Sequence, residues 1–371
     1  MRPPASWSRP DPRAAWGSSP VTSEPRPADG ANRSSRRASY SVVVPTVGRT
    51  SLVRCLVALD TSRGPAPEAV FVVDDRRYPD PPLVLPPTSV PVKVLLSGGR
   101  GPAAARNVGW RAAASTWVAF LDDDVVPGPT WLEQLNDDVR DLPDHVAGSQ
   151  GRVRVPLPPE RRPTDAERGT AALAHARWIT ADMAYRTDVL AEVGGFDERF
   201  RRAYREDSDL ALRVCGAGYE LVAGDREVLH PVRPSGFFAS VRAQAGNADD
   251  ALMRRRHGRT WRRRAGASPG RLRLHAVTTA AGATALGLAA RRRRIAALVA
   301  GAVWAGLTGE FAARRIVAGP RTPTEVARMA VTSVLIPPVA CAYRVLGAIR
   351  HARVRPYSPT RDHRGPRGWT R

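Results

Sequence analysis

The sequence predicts an α/β domain built on a mostly parallel, Rossmann-like sheet flanked by helices, followed by a basic, apolar helical region. Three observations carry this. Short Val-rich runs alternate with helix-like stretches between residues 41 and 141, prolines stand where helices begin, and two of the apolar runs end in aspartates. Runs of four to seven residues that are apolar on both faces are the pattern of strands covered by helices on either side. In such sheets ligands bind beyond the carboxyl ends of the strands.

The elements follow in order. Strands are expected at Ser41–Pro45, Ala69–Asp75, Val92–Ser97 and Trp117–Asp123, with helices at Thr50–Asp60, Pro102–Ala114 and Pro129–Asp141. Pro102 and Pro129 suit first-turn positions, where no N–H is needed. A less regular block holds expected strands at Ala147–Val155 and Trp178–Tyr185, and helices at Thr187–Val193 and Glu206–Gly216, with Gly194–Gly195 and Gly216 or Gly218 as stops. Residues 1–39, rich in Pro, Ser and Arg without an apolar run, read as a disordered leader rather than a secretory signal. We expect a catalytic domain over 40–235, a basic and apolar helical region over 236–350, and a disordered basic tail over 351–371.

The formal net charge of +22 is unevenly spread. Basic against acidic residues number 7 to 3 in residues 1–40, 23 to 27 in 41–230, and 27 to 5 in 231–371. Segregated charge of this kind reads as a contact surface for something anionic. Arginines there alternate with Ala/Val/Leu stretches and no nucleic-acid module is recognisable, which favours an anionic membrane surface over nucleic acid. The apolar stretches Ala276–Ala290, Ile295–Ala313 and Val326–Tyr343 are separated by Arg291–Arg294 and interrupted by Pro337–Pro338, which is expected to break a straight helix. The first two are at the short end for a span of about 30 Å of hydrocarbon. A re-entrant or interfacial hairpin, with arginines at the headgroups, conflicts with fewer rules than true spanning, and an ordinary helical subdomain packed on the catalytic core stands between the two readings. Cys55, Cys215 and Cys341 offer no zinc spacing and no disulfide framework, which fits a reducing cytoplasm.

Several clusters carry chemistry. Asp122, Asp123 and Asp124 close an apolar strand; adjacent carboxylates repel, and a divalent cation bound through oxygens relieves this. A solvated turn capping the next helix is the alternative. Asp74–Asp75 either terminates a strand or accepts hydrogen bonds from a base or ribose. Ser97–Asn107 places Gly98 and its neighbours before a helix, as a tight turn or a phosphate grip, with Arg100 or Arg106 adding charge. Glu206, Asp207 and Asp209 crowd a helix start, where the dipole alone favours them; a general base for an acceptor hydroxyl is the functional reading. His230 is a metal or diphosphate ligand, or merely structural.

Taken in order, strand–Pro45, strand–Asp74–Asp75, Gly98 to Arg106-Asn107-Val-Gly109, Phe120-Leu-Asp-Asp-Asp124, Gly194-Gly-Phe-Asp-Glu198 and Glu206-Asp207 resemble family 2 glycosyltransferases of the GT-A fold. The resemblance covers Ser41 to His230. It implies single-displacement, inverting transfer from a nucleotide-diphospho-sugar, assisted by Mg²⁺ or Mn²⁺. By position, Asp74 matches the base-contacting carboxylate with Asp75 beside it, and Pro45, Gly98, Arg106 and Asn107 fall on the donor side. Asp124 matches the metal ligand, Asp122 and Asp123 contact ribose or support the metal, and His230 is a further ligand candidate. Asp207 matches the base, with Glu206 beside it. Trp178, Asp182, Met183, Gly195, Phe196 and Asp197 fall on the acceptor side. A nucleotidyltransferase on the same scaffold is the alternative activity. The basic, apolar C-terminal third points to a saccharide or lipid-linked acceptor of the cell envelope, at the inner face of the membrane.

Overall fold

The computed structural model describes residues 38–358; the expected leader up to residue 37 and the tail from residue 359 lie outside the described residues. Eight strands form one sheet: β1 (Tyr40–Thr46), β2 (Val70–Asp74), β3 (Val92–Leu96), β4 (Trp117–Leu121), β5 (Val126–Pro127), β6 (Val146–Arg154), β7 (Asp182–Arg186) and β8 (Glu220–Leu229). Their order is β3-β2-β1-β4-β7-β6-β8-β5. The first four are parallel, whereas β7 runs antiparallel to both β4 and β6, and β5 antiparallel to β8. The sheet is therefore mixed rather than mostly parallel, with the parallel half carrying the expected topology.

Around it lie α1 (Ser51–Asp60), α2 (Pro102–Ala112), α3 (Trp131–Arg140), α4 (Asp165–Ala171), α5 (Thr187–Glu192) and α6 (Glu206–Gly216). Alternation along the strands sorts the core into two layers. Val42 and Val44 of β1 face α1 and α3 through Leu52, Leu56, Trp131 and Leu135. Val43 faces the other side with Phe71, Phe120 and Tyr185, against α2, α5 and α6. Gly109 is required where α2 crosses β1, since a Cβ there would lie 2.4 Å from Val43 Cγ1. The expectation of strands apolar and buried on both faces fails at β3. It is the sheet edge and largely exposed.

Three elements escape the sequence patterns. β8 is polar along much of its length and pairs in parallel with β6. α4 is short and has no fully buried residue, and β5 has only two residues. The expected strand over Trp178–Tyr185 begins at Asp182, because Trp178 has φ 64°, outside the extended region.

Beyond the sheet come α7 (Ala239–Arg242), α8 (Gly246–His257), α9 (Trp261–Arg264) and three long helices, α10 (Leu272–Ala290), α11 (Arg294–Ala318) and α12 (Pro323–Arg350). α10, α11 and α12 pack against one another, and α12 also lies along α8. α12 runs uninterrupted through Pro337 and Pro338, so the expected break does not occur. Met329, Ile336, Pro337 and Ala340 are buried, and packing there overrides intrinsic propensity. α11 and α12 are long and apolar enough to cross a membrane by length and composition, longer than the apolar stretches alone. Their outer surface carries Ile295, Leu298, Val299, Leu346 and Ile349, all more than half exposed. Phe200 and Leu212 pack with Leu252, Met253 and Trp261, joining the sheet domain to α8 and α9. The three cysteines are free.

One buried polar knot lies between β8 and β7. Arg226 donates from Nε to Asp182 Oδ1 (2.7 Å), from Nη1 to Asp138 Oδ2 (2.8 Å) and from Nη2 to the Ser149 carbonyl (2.6 Å). Trp131 Nε1 donates to the other Asp182 oxygen at 2.7 Å. Removing the cation strands two buried carboxylates, so Arg226→Met is expected to lower unfolding free energy by about 3–5 kcal/mol in urea titrations.

Candidate active site

The carboxyl ends of β1, β2 and β4 open into a cavity of about 1050 Å³. Pro45, Asp75, Arg106, Asp122, Asp123, Asp124, Glu206, Asp207 and His230 all line it. The two carboxylate groups singled out in the sequence therefore share one chamber.

Each aspartate after β4 has a different setting. Asp123 is buried and held, accepting from Thr46 Oγ1 and Arg49 Nη1, both at 2.6 Å. Asp122 accepts from Arg106 Nη2 at 2.7 Å and keeps some exposure. Asp124 faces Arg233 Nε at 2.9 Å and His230 Nε2 at 3.7 Å. Burial, and then the charge of Asp122, raise its pKa above the usual carboxylate range. Ligand atoms of Asp122, Asp124 and His230 lie within 4.8 Å of one another. Asp124 Oδ2, the oxygen that faces Arg233 Nε, is buried and in ion-pair contact but receives no hydrogen bond of good geometry. Two carboxylates and an imidazole suit Mg²⁺ or Mn²⁺ with room for substrate oxygens, and the residues present fit such an ion.

Glu206 and Asp207 open α6, where the helix dipole favours negative charge. The preceding Arg205 takes φ 79°, so the chain enters the helix from a left-handed residue. Glu206 Oε1 accepts from Arg106 Nη1 at 2.9 Å. Burial, with the Asp207 charge adding, pushes the Glu206 pKa up to about 8. Burial likewise raises that of Asp207, against the N–H of Ser208, which donates to it at 2.6 Å. Asp209 belongs elsewhere: it bonds Arg213 (2.8 Å) and His257 (2.7 Å), and Arg213 is the largest influence holding its pKa below the usual range against burial. It is a strut between α6 and α8.

Other expected residues land differently. Asp74 and Asp75 separate: Asp74 is buried under Arg76, which donates from its N–H and guanidinium, while Asp75 lines the cavity. Asp75 also accepts from Ser97 Oγ and Gly101 N, so it shapes the glycine turn. Gly99 and Gly101, rather than Gly98, line the cavity, and Gly101 has φ 98° against the Arg201 carbonyl. Arg106 is only 1% exposed and clamped between Asp122 and Glu206, not held out toward solvent.

The residues expected on the acceptor side do not line the cavity. Asp182 is fully buried by Arg226 and Trp131, and Met183 lies in the core. Asn107 accepts from Phe196 N and donates to the Phe196 carbonyl, which seals the Gly195–Phe196 turn onto α2. Asp197 pairs with Arg199 at 2.5 Å. Trp178 also falls outside the lining, whereas Ile179, Thr180 and Ala181 beside it form part of the wall. Sequence reasoning missed Thr46 and Arg49, which fix Asp123, and Arg233, whose signal was its place three residues after His230. It also missed the contribution of α4.

Comparison with known proteins follows this geometry. The model for Glycosyl transferase family 2 matches residues 41–209. A stretch of 136 residues is 35% identical to the pre-mycofactocin glycosyltransferase of two Mycobacterium tuberculosis strains, covering 33% of this chain and 28% of that protein. The match thus spans under a third of the curated relatives' length. Among solved structures, the mannosyltransferase PcManGT from Pyrobaculum calidifontis, in complex with GDP-Man and Mn²⁺, aligns at 19% identity and TM-score 0.49, covering 88% of this chain and 91% of that one. S. aureus TarS 1-349 in complex with UDP aligns at 18% identity and TM-score 0.40, covering 83% and 91%.

The raised Glu206 pKa has a thermodynamic consequence. Between its ordinary value of 4.5 and about 8, the folded protein holds a proton that the unfolded chain has released. Stability therefore falls as pH rises across that window, by up to about 1.4 kcal/mol per pH unit for one proton. Denaturant titrations of the metal-free protein across this range should show the slope, and Glu206→Gln should flatten it.

Proposed function

We propose, from the match of residues 41–209 to Glycosyl transferase family 2, that the chain transfers a sugar from a nucleotide-diphospho-sugar to an acceptor hydroxyl, with inversion. The observation that carries this is the shared cavity, lined by Asp122, Asp124 and His230 together with Glu206 and Asp207, in which Arg106 bonds Asp122 and the Glu206 that precedes Asp207.

The division of labour follows from the chemistry. Asp207 accepts the proton of the acceptor hydroxyl as its oxygen bonds to the anomeric carbon and the bond to the diphosphate oxygen breaks. Its raised pKa suits a base working near neutral pH. Asp122, Asp124 and His230 hold Mg²⁺ or Mn²⁺, which when bound supplies a Lewis acid for the charge on the departing diphosphate. Arg49, Arg100, Arg201, Arg202 and Arg233 border the same cavity and favour an anionic donor. Asp75 takes the nucleoside-side contact that position had suggested for Asp74. The exposed apolar flank of α10–α12 and the basic C-terminal third support residence at the anionic inner face of the cell membrane, with a saccharide or lipid-linked acceptor of the envelope.

Two experiments test this. With UDP-, GDP- and dTDP-sugars, donor turnover should require Mn²⁺ or Mg²⁺. Asp207→Asn should cut kcat by about 10²–10⁴-fold with nucleotide affinity little changed. Retained turnover in Asp124→Asn without added metal would defeat the assignment. In flotation assays the full chain should bind phosphatidylglycerol vesicles, more weakly as salt rises, and show no comparable affinity for duplex DNA.

A further inference from the structure

The cavity has a wall that the transfer chemistry leaves unused. Ala166, Gly169 and Thr170 of α4, with Leu173 after it, and Pro234 and Ala239 from the segment running into α7, line it. These side chains are small and largely apolar and continue the apolar part of the lining at Ile179 and Ala181, whereas the arginines and carboxylates border the rest of the chamber. An apolar wall gains nothing from a diphosphate; it takes apolar surface out of water.

Several side chains fasten the wall to the long helices, and one of them bonds both of its parts at once. Arg315 of α11 is 9% exposed. Its Nη2 donates to Asp165 Oδ2 at the start of α4 (2.8 Å) and to Ser240 Oγ in α7 (3.0 Å). Its Nη1 donates to Thr332 Oγ1 (2.8 Å) and Ser333 Oγ (3.0 Å), both on α12. Two further bonds run alongside, from Asp165 N to Glu325 Oε1 (3.1 Å) and from Arg162 Nη1 to the Val317 carbonyl (2.7 Å). One planar fork thus sets α4 and α7 relative to α11 and α12.

Resting on the transfer reading above, we propose that α4 and the segment entering α7 form a subsite for the apolar aglycone of the acceptor, with Arg315 as its positioning residue. The acceptor is then an amphipathic molecule whose reacting hydroxyl stands close to hydrocarbon. The helices that hold the wall are those whose outer surface is apolar and exposed, so the subsite is bonded directly to the elements that carry that surface.

The test uses the full chain with Mn²⁺ and whichever nucleotide sugar it hydrolyses, titrated with methyl or octyl β-D-glucoside below micelle formation, reading donor turnover. Each methylene withdrawn from water contributes about fourfold, so octyl glucoside should act at a concentration at least about tenfold lower than methyl glucoside. Arg315→Met should erase about tenfold of that preference while donor hydrolysis alone and nucleotide half-saturation stay within about twofold, with partial recovery in Arg315→Lys. Gly169→Phe provides an independent check, because Gly169 lines the cavity and a Cβ at that position meets nothing within 4 Å. It too should remove the octyl preference. Equal action of both glucosides on the unmodified chain overturns the subsite, as does an undiminished preference in both Arg315→Met and Gly169→Phe. A chain that turns over no nucleotide sugar overturns the transfer reading and the subsite with it.

Discussion

Arg106 sits where the two halves of the site meet, and its guanidinium is the only cation bonding both at once among the described residues. One nitrogen serves Asp122 after β4 and the other serves Glu206 at the start of α6. Without it, the carboxylates of those two elements would face one another across a partly dehydrated gap, at a cost that like charges in low dielectric make severe. The bridge is not saturated. Arg106 Nε and Glu206 Oε2 are both buried without a hydrogen-bond partner. Arg106 therefore lines the cavity with one donor unmet, beside a Glu206 with one acceptor unmet.

The remaining architecture serves that contact. Pairing of β1 with both β2 and β4 brings Thr46 beside Asp123, and the glycine turn before α2 delivers Arg106 from the opposite layer. Gly109 lets α2 lie close enough on β1 for the arginine to reach across. The antiparallel β7 then pairs between β4 and β6 and leads, through α5 and the Gly194–Gly195 turn, to α6. Asn107, the residue after Arg106, bonds that returning chain at Phe196, so neighbouring side chains on α2 hold both ends of the route.

The parts legible in the sequence were those fixed by local pattern. The apolar run from Trp117 to Leu121 located a buried strand, so the aspartates after it had to emerge at the carboxyl end of the sheet. Glu206 and Asp207 were legible for a similar reason, at a helix start with apolar residues following. What escaped depended on partners distant in the chain. Asp182 read as a polar residue available to a ligand because Trp131 and Arg226, 51 and 44 residues away, give no local sign of claiming it. Asp74 and Asp75 are indistinguishable by position, and only the return of Arg76 over the strand end decides which one is free to face the cavity. β8 was missed because Arg226 and its acidic neighbours mask a strand whose inward charge is neutralised by other strands and helices. α4 was missed because it is half-exposed and has no apolar stripe to betray it.

The family correspondence ends at Asp209, but the fastening of that stretch does not. Asp209 itself is tied to His257, and Arg205, just ahead of the acidic pair, reaches Asp250 at 3.0 Å. Both anchors lie on α8, 45 and 48 residues further along. The stretch that matches the family and the stretch that is mechanically complete are therefore different lengths of polypeptide. Sequence beyond the match braces the turn that carries Glu206 and Asp207, so trimming this chain at residue 209 would sever that turn from what aims it.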